Sequence, residues 1–160
     1  MAAKKKKRAT KAKKPMDYDV IEPLAQAIPI TNEAVDALEA VYGALPDRYR
    51  EFMTRFGPGE YGGWFSVYDP AAVHSFTKEN RAFIRDNLDL WDDAANELSL
   101  ADLERLVFLA HTTAGELGML GYVGGAPERL LFFPRPRIGS RMEEMGPTFA
   151  HAIARWFEED

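Results

Sequence analysis

The chain of 160 residues contains no cysteine. That excludes disulfide scaffolds, thiol nucleophiles and thiolate metal sites. It has no apolar run near the ~20 residues that a membrane span requires. The first residues are basic and no apolar stretch follows them, so a secretory signal is not expected and the cytoplasm is the expected location. A body of this length buries roughly 70% of the surface that its unfolded chain exposes, so one domain can fold without a metal or a disulfide.

Two further absences divide the chain by charge. Residues 4–14, KKKKRATKAKK, carry eight cations and no acid. All 25 acids lie later, so 12 cations face them there and the body carries −13. Residues 1–16 read as a disordered Lys-rich tail, because nothing in KKKKRATKAKK larger than alanine could be buried. It reads either as a solvated, solubilising segment or as a weak contact for a polyanion, nucleic acid or anionic lipid. The second gap is the lack of any Lys or Arg between Asp86 and Glu104.

What is present predicts an α+β domain over 17–160, a single domain with a mostly antiparallel sheet flanked by N-terminal and C-terminal helices. Thr31 or Asn32 caps a helix with Val35, Leu38 and Tyr42 on one face, ended by Gly43. Pro46 is expected at the first position of a second helix, whose Tyr49, Phe52, Met53 and Phe56 form an apolar stripe. Gly57 and Pro58 stop it. YGGWFSVY reads as one aromatic strand entered through two glycines. Asp69 and Pro70 start a helix with Val73, Phe76, Phe83, Ile84 and Leu88 at helical period, interrupted near residue 80. RLVFLAH, LGMLGY and RLLFF form a three-stranded meander. PRPRIGSR is a loop, and the closing helix places Phe149, Ile153, Trp156 and Phe157 on one face.

Catalytic constellations are hard to assemble. His74, His111 and His151 fall in separate elements, without the spacing of a helical metal pair. No serine sits in a nucleophile elbow. GPGEYGG lacks the Lys-Ser/Thr of a phosphate loop and leads into a strand rather than a helix. A hydrolase using His111 with Glu116 is the one enzymatic alternative. The expectation is no enzyme, no metal and no cofactor.

The acidic run is more telling. Asp86, Asp89, Asp92, Asp93, Glu97, Asp102 and Glu104 place seven carboxylates in nineteen residues, with Trp91 among them. Carboxylates so close repel one another, which folding alone does not call for. A basic partner would gather them, with Trp91 as an anchor; a solvated loop with Trp91 tucked into the core is the other reading. Tyr61, Trp64 and Tyr68 are candidates for the same partner surface, with Phe65 and Val67 turned inward and Trp64 and Tyr68 partly exposed.

LEAVYGALPDRYREFMTRFGPG resembles the opening of the SUKH superfamily, which includes a yeast cell-wall-synthesis regulator domain and many bacterial immunity proteins. The matching residues are Leu45, Pro46, Tyr49, Phe52 and Gly57. LVFLAHTTAGELGML, with Gly115 and Glu116 at its turn, and TFAHAIARWF are similar to later elements of that family, so the likeness spans about 30–158. Segment 86–104 is longer than the family pattern, and many relatives have Asp at the place of Glu116. The resemblance implies a non-catalytic protein-binding domain, and in bacteria an immunity protein that binds and neutralises a toxin domain, often a nuclease. The alternative is a regulatory or scaffold module of the same fold, tethered to nucleic acid by its basic tail.

Overall fold

The structure is a computed structural model that describes residues 18, 28–61, 65–90, 98–112, 118–134 and 141–158, the side chains of residue 90 and of 155–158 excepted. Among them, six strands form one antiparallel sheet in sequence order. The strands are β1 (Gly59–Tyr61), β2 (Phe65–Val67), β3 (Leu106–Thr112), β4 (Gly118–Val123), β5 (Ala126–Pro134) and β6 (Glu143–Gly146). The helices are α1 (Asn32–Tyr42), α2 (Tyr49–Arg55), α3 (Pro70–Asp86), α4 (Leu100–Glu104) and α5 (Phe149–Glu158), with a 3-10 turn at Leu88–Leu90. The α+β class and the flanking helices are as the sequence predicts. No helix among the described residues is long and apolar enough to cross a membrane.

Thr31 caps α1 by accepting from the Ala34 N–H, and Gly43 ends it at φ 80°. Val35 and Leu38 are buried. Arg50 of α2 ties α1 down, donating to the Asn32 carbonyl at 3.2 Å and pairing with Asp36 at 2.7 Å. In α2 the expected stripe is all core: Tyr49, Phe52 and Met53 have no exposed surface and Phe56 has 3%. Phe52 is surrounded by the rings of Tyr18, Phe56, Tyr61 and Phe149, with centroids 5.2–5.6 Å away.

The start of α2 differs from expectation. The helix begins at Tyr49, three residues after Pro46, because Asp47 is used elsewhere. Asp47 bridges Thr148, and its carbonyl accepts from the Phe149 N–H at 2.9 Å, joining the helix entrance to α5. Arg48 then turns at φ 68°, an uncommon conformation for a residue with a side chain. Its guanidinium lies 4.5 Å from the Tyr18 ring centroid and forks onto Glu51, which holds the turn. Gly57 closes α2 at φ 93°, where a Cβ would strike the Ile28 carbonyl.

YGGWFSVY is not one strand. The chain reverses between Tyr61 and Phe65, which pair across β1 and β2. Phe65 and Val67 do point inward. β2 is short and covers only Ala110–Thr112 of β3. Helix α3 takes over the rest of that edge. Thr77 Oγ1 accepts from the Phe108 N–H at 3.0 Å, and Arg81 Nε donates to the Leu106 carbonyl at 2.7 Å. Backbone groups that a longer β2 would have paired are met by helix side chains, so the edge is not open to another strand. α3 is continuous through residue 80, where its apolar period lapses, and ends at Asp86, short of Leu88. At the other side β6 adds an unforeseen strand, pairing Glu143 and Glu144 with Phe132 and Leu131.

Candidate functional site

The aromatic candidates separate sharply. Tyr61 is 1% exposed and Tyr68 5%, so neither is offered to a partner. The Tyr61 ring stacks on Phe65 at 5.6 Å and its hydroxyl donates to the Gly57 carbonyl, which draws it into the core. Tyr68 follows β2, its N–H bonded to the Leu109 carbonyl at 2.9 Å and its ring stacked 4.1 Å from Phe76. Burial pushes its phenol up to about 12. The expected partial exposure fails because Tyr68 leaves the strand to fill the space under α3. Trp64 lies outside the described residues.

The acidic run begins where α3 ends. Asp86 and Asp89 are both exposed. Trp91, Asp92, Asp93 and Glu97 lie outside the described residues. Asp102 acts locally. Its carboxylate accepts from the Ser99 N–H at 3.1 Å while Ser99 Oγ accepts from the Asp102 N–H at 3.0 Å. This capping box starts α4 and lowers the Asp102 carboxyl from its ordinary range, chiefly through the Ser99 backbone bond. Arg105 adds an ion pair at 3.3 Å. Glu104 is exposed.

The surroundings of that run are less uniformly acidic than its sequence. Lys78, Arg81 and Arg85 of α3 line a cleft of about 470 Å³ together with Leu100, Leu103 and Glu104. Helix spacing places the three cations on one flank, while Glu79, Phe83 and Asp86 fall on another. The run 86–104 contains no cation, yet α4 packs against a helix that supplies them. Leu100 at 74% and Phe83 at 41% exposure add large apolar surface to this end of the molecule.

The histidines stay apart. His74 Nδ1 and the Tyr42 hydroxyl share a 3.0 Å hydrogen bond. His151 Nδ1 meets Thr148 Oγ1 at 2.8 Å, and burial followed by the nearby Arg48 charge lowers its pKa. His111 is half-buried beside the rings of Tyr68 and Phe76, at 5.2 and 6.2 Å, and burial lowers its pKa too. Its proposed partner Glu116 lies outside the described residues. Among the described residues, no group of three or more His, Asp or Glu could hold a metal ion.

Of the motif residues, Pro46, Tyr49, Phe52 and Gly57 are buried and Leu45 is half-buried against the core. They build the fold rather than a surface. Gly115 lies outside the described residues. Lys78, Arg81 and Arg85 leave no mark on the apolar periodicity of α3, and their i, i+3, i+7 spacing is the one signal of them in the sequence. No family model matches the chain, and no curated protein or solved structure does either.

Proposed function

We propose that this chain is a non-catalytic protein-binding domain of the SUKH kind, acting as an immunity protein that binds and neutralises a toxin domain. The observation that carries the reading is the exposed end of α3. There Asp86 and Asp89 stand in solvent close along the chain to the exposed Phe83, and Leu100 opens α4 with most of its side chain uncovered. Carboxylates beside large exposed apolar groups suit a partner that is basic and must be desolvated at its centre. A nuclease fits, because its nucleic-acid groove is lined with Lys and Arg that carboxylates can occupy. The −13 body adds long-range attraction for such a partner. The toxin-neutralising part rests on the resemblance of LEAVYGALPDRYREFMTRFGPG to the opening of that superfamily.

Co-expression with a toxin domain encoded beside this gene tests the reading. A stable complex and restored growth are expected. A gene that sits alone in a housekeeping operon, or a toxin that neither binds nor is blocked, contradicts it.

One observation favours the scaffold reading as well: eight cations within residues 4–14 ahead of an acidic body. On that reading, removing residues 1–15 abolishes retention on immobilised nucleic acid. Unchanged retention eliminates the tether.

A further inference from the structure

A second cleft lies on the opposite side of the α3 cations, toward the end of α1. Its volume is about 330 Å³, and it is lined by Val41, Tyr42, His74, Thr77, Lys78 and Arg81. Among the described residues, no carboxylate lines it.

Two of its donors, Arg81 and Thr77, are held by β3, and the exposed Lys78 lies beside them on α3. Arg81 is positioned by its Nε bond to the Leu106 carbonyl, which leaves the outer guanidinium nitrogens available. Among the described residues, neither Arg81 nor Lys78 has an ion pair. Thr77 is 1% exposed, and its Oγ1 accepts from the Phe108 N–H. Among the described residues the Thr77 hydroxyl proton has no acceptor. A buried hydroxyl normally donates as well as accepts, so an unused donor at a cleft wall marks room for an acceptor. Tyr42 and His74 are occupied with each other and close one side.

We propose that this cleft binds an oxyanion, a phosphate or carboxylate group of a small molecule. The guanidinium and the ammonium supply charge-assisted bonds, and the Thr77 hydroxyl completes the set. Val41, 66% exposed, gives the rest of the ligand an apolar wall. About 330 Å³ is at the small end of ligand pockets, which sets the ligand's size. The −13 body repels anions at long range, so binding depends on these local donors rather than on attraction to the protein as a whole. The site shares Lys78 and Arg81 with the cleft beside Leu100 and Glu104, but its anion binding is read without any protein partner.

The test is an amide chemical-shift titration of the full chain with inorganic phosphate and, separately, succinate, against sodium chloride at matched ionic strength. Saturable shifts at Thr77, Lys78 and Arg81 with phosphate or succinate, absent with chloride, are expected. Lys78→Ala, an exposed change that leaves the core intact, should weaken that binding by about tenfold or more. Saturation with phosphate alone assigns a phosphoryl ligand, and with succinate alone a carboxylate. Linear shifts with both anions, or saturation unaltered in Lys78→Ala, overturn the proposal.

Discussion

Helices α2 and α3 are both amphipathic, yet they do different work. In seven residues α2 buries Tyr49, Phe52 and Met53. In seventeen, α3 buries only Val73, Thr77 and Ile84. α2 joins the β1–β2 hairpin and α5 through aromatic rings, and α1 through Arg50. α3 closes the edge of β3 with two side chains, packs Val73, Phe76 and Ile84 inward, and leaves Lys78, Glu79, Phe83, Arg85 and Asp86 exposed. A helix that fills a core cannot change its surface without changing the fold, whereas α3 can carry one charge pattern or another at little cost. The exposed candidate groups accordingly lie on α3 and at its end, while Tyr49, Phe52, Tyr61 and Phe65 are buried.

The sharpest break in that comparison is Phe52→Ala, which removes the ring at the centre of four others. It should cost about 3–5 kcal/mol in urea unfolding. Thr77→Val separates the two roles of α3. It keeps the shape but leaves the Phe108 N–H without its acceptor, a loss of about 1–3 kcal/mol. Lys78→Ala on the same helix should stay within about 0.5 kcal/mol of wild type while altering anion binding. A loss as large as that of Phe52→Ala would erase the distinction between the helices.

The smallest effect is a pH dependence at the acidic end. The Asp102 carboxyl is held below the ordinary carboxylate range, so its folded pKa lies below its unfolded one. Its contribution is complete above the unfolded value and is lost as pH falls through the folded value. The stability advantage of wild type over Asp102→Asn should therefore shrink as pH drops from about 5 to about 3. An advantage that holds constant across that range would remove the capping box from the account of α4.

The core-facing helices were legible because their apolar residues recur at helical spacing with strong stops: Val35 and Leu38 before Gly43, Tyr49 to Phe56 before Gly57. The start of α2 was not, because Asp47 is held by Thr148 and Phe149, which are far away in sequence. β6 was hidden because it is an edge strand with exposed glutamates, held by buried Met142 and Met145 to either side. The hairpin was hidden because two three-residue strands are too short to show alternation. At the candidate site, Asp86 and Asp89 are exposed as the acidic run suggests. The buried state of Tyr61 and Tyr68 follows from what their rings and backbone meet in space. The cleft on α3 was invisible for the same reason: Lys78 and Arg81 are ordinary helix cations until β3 fixes one of them and α1 supplies the opposite wall.

The acidic end of α3, rather than the buried Tyr61, is proposed to meet the basic partner. Association with a candidate basic toxin domain, measured from about 0.05 to 0.5 M salt for wild type and for Asp86→Asn/Asp89→Asn, tests it directly. The account predicts that wild-type binding weakens steeply with salt, and that the double variant associates more slowly, by roughly tenfold at low salt, with a shallower salt dependence. Binding indifferent to salt, or a variant indistinguishable from wild type, would contradict it.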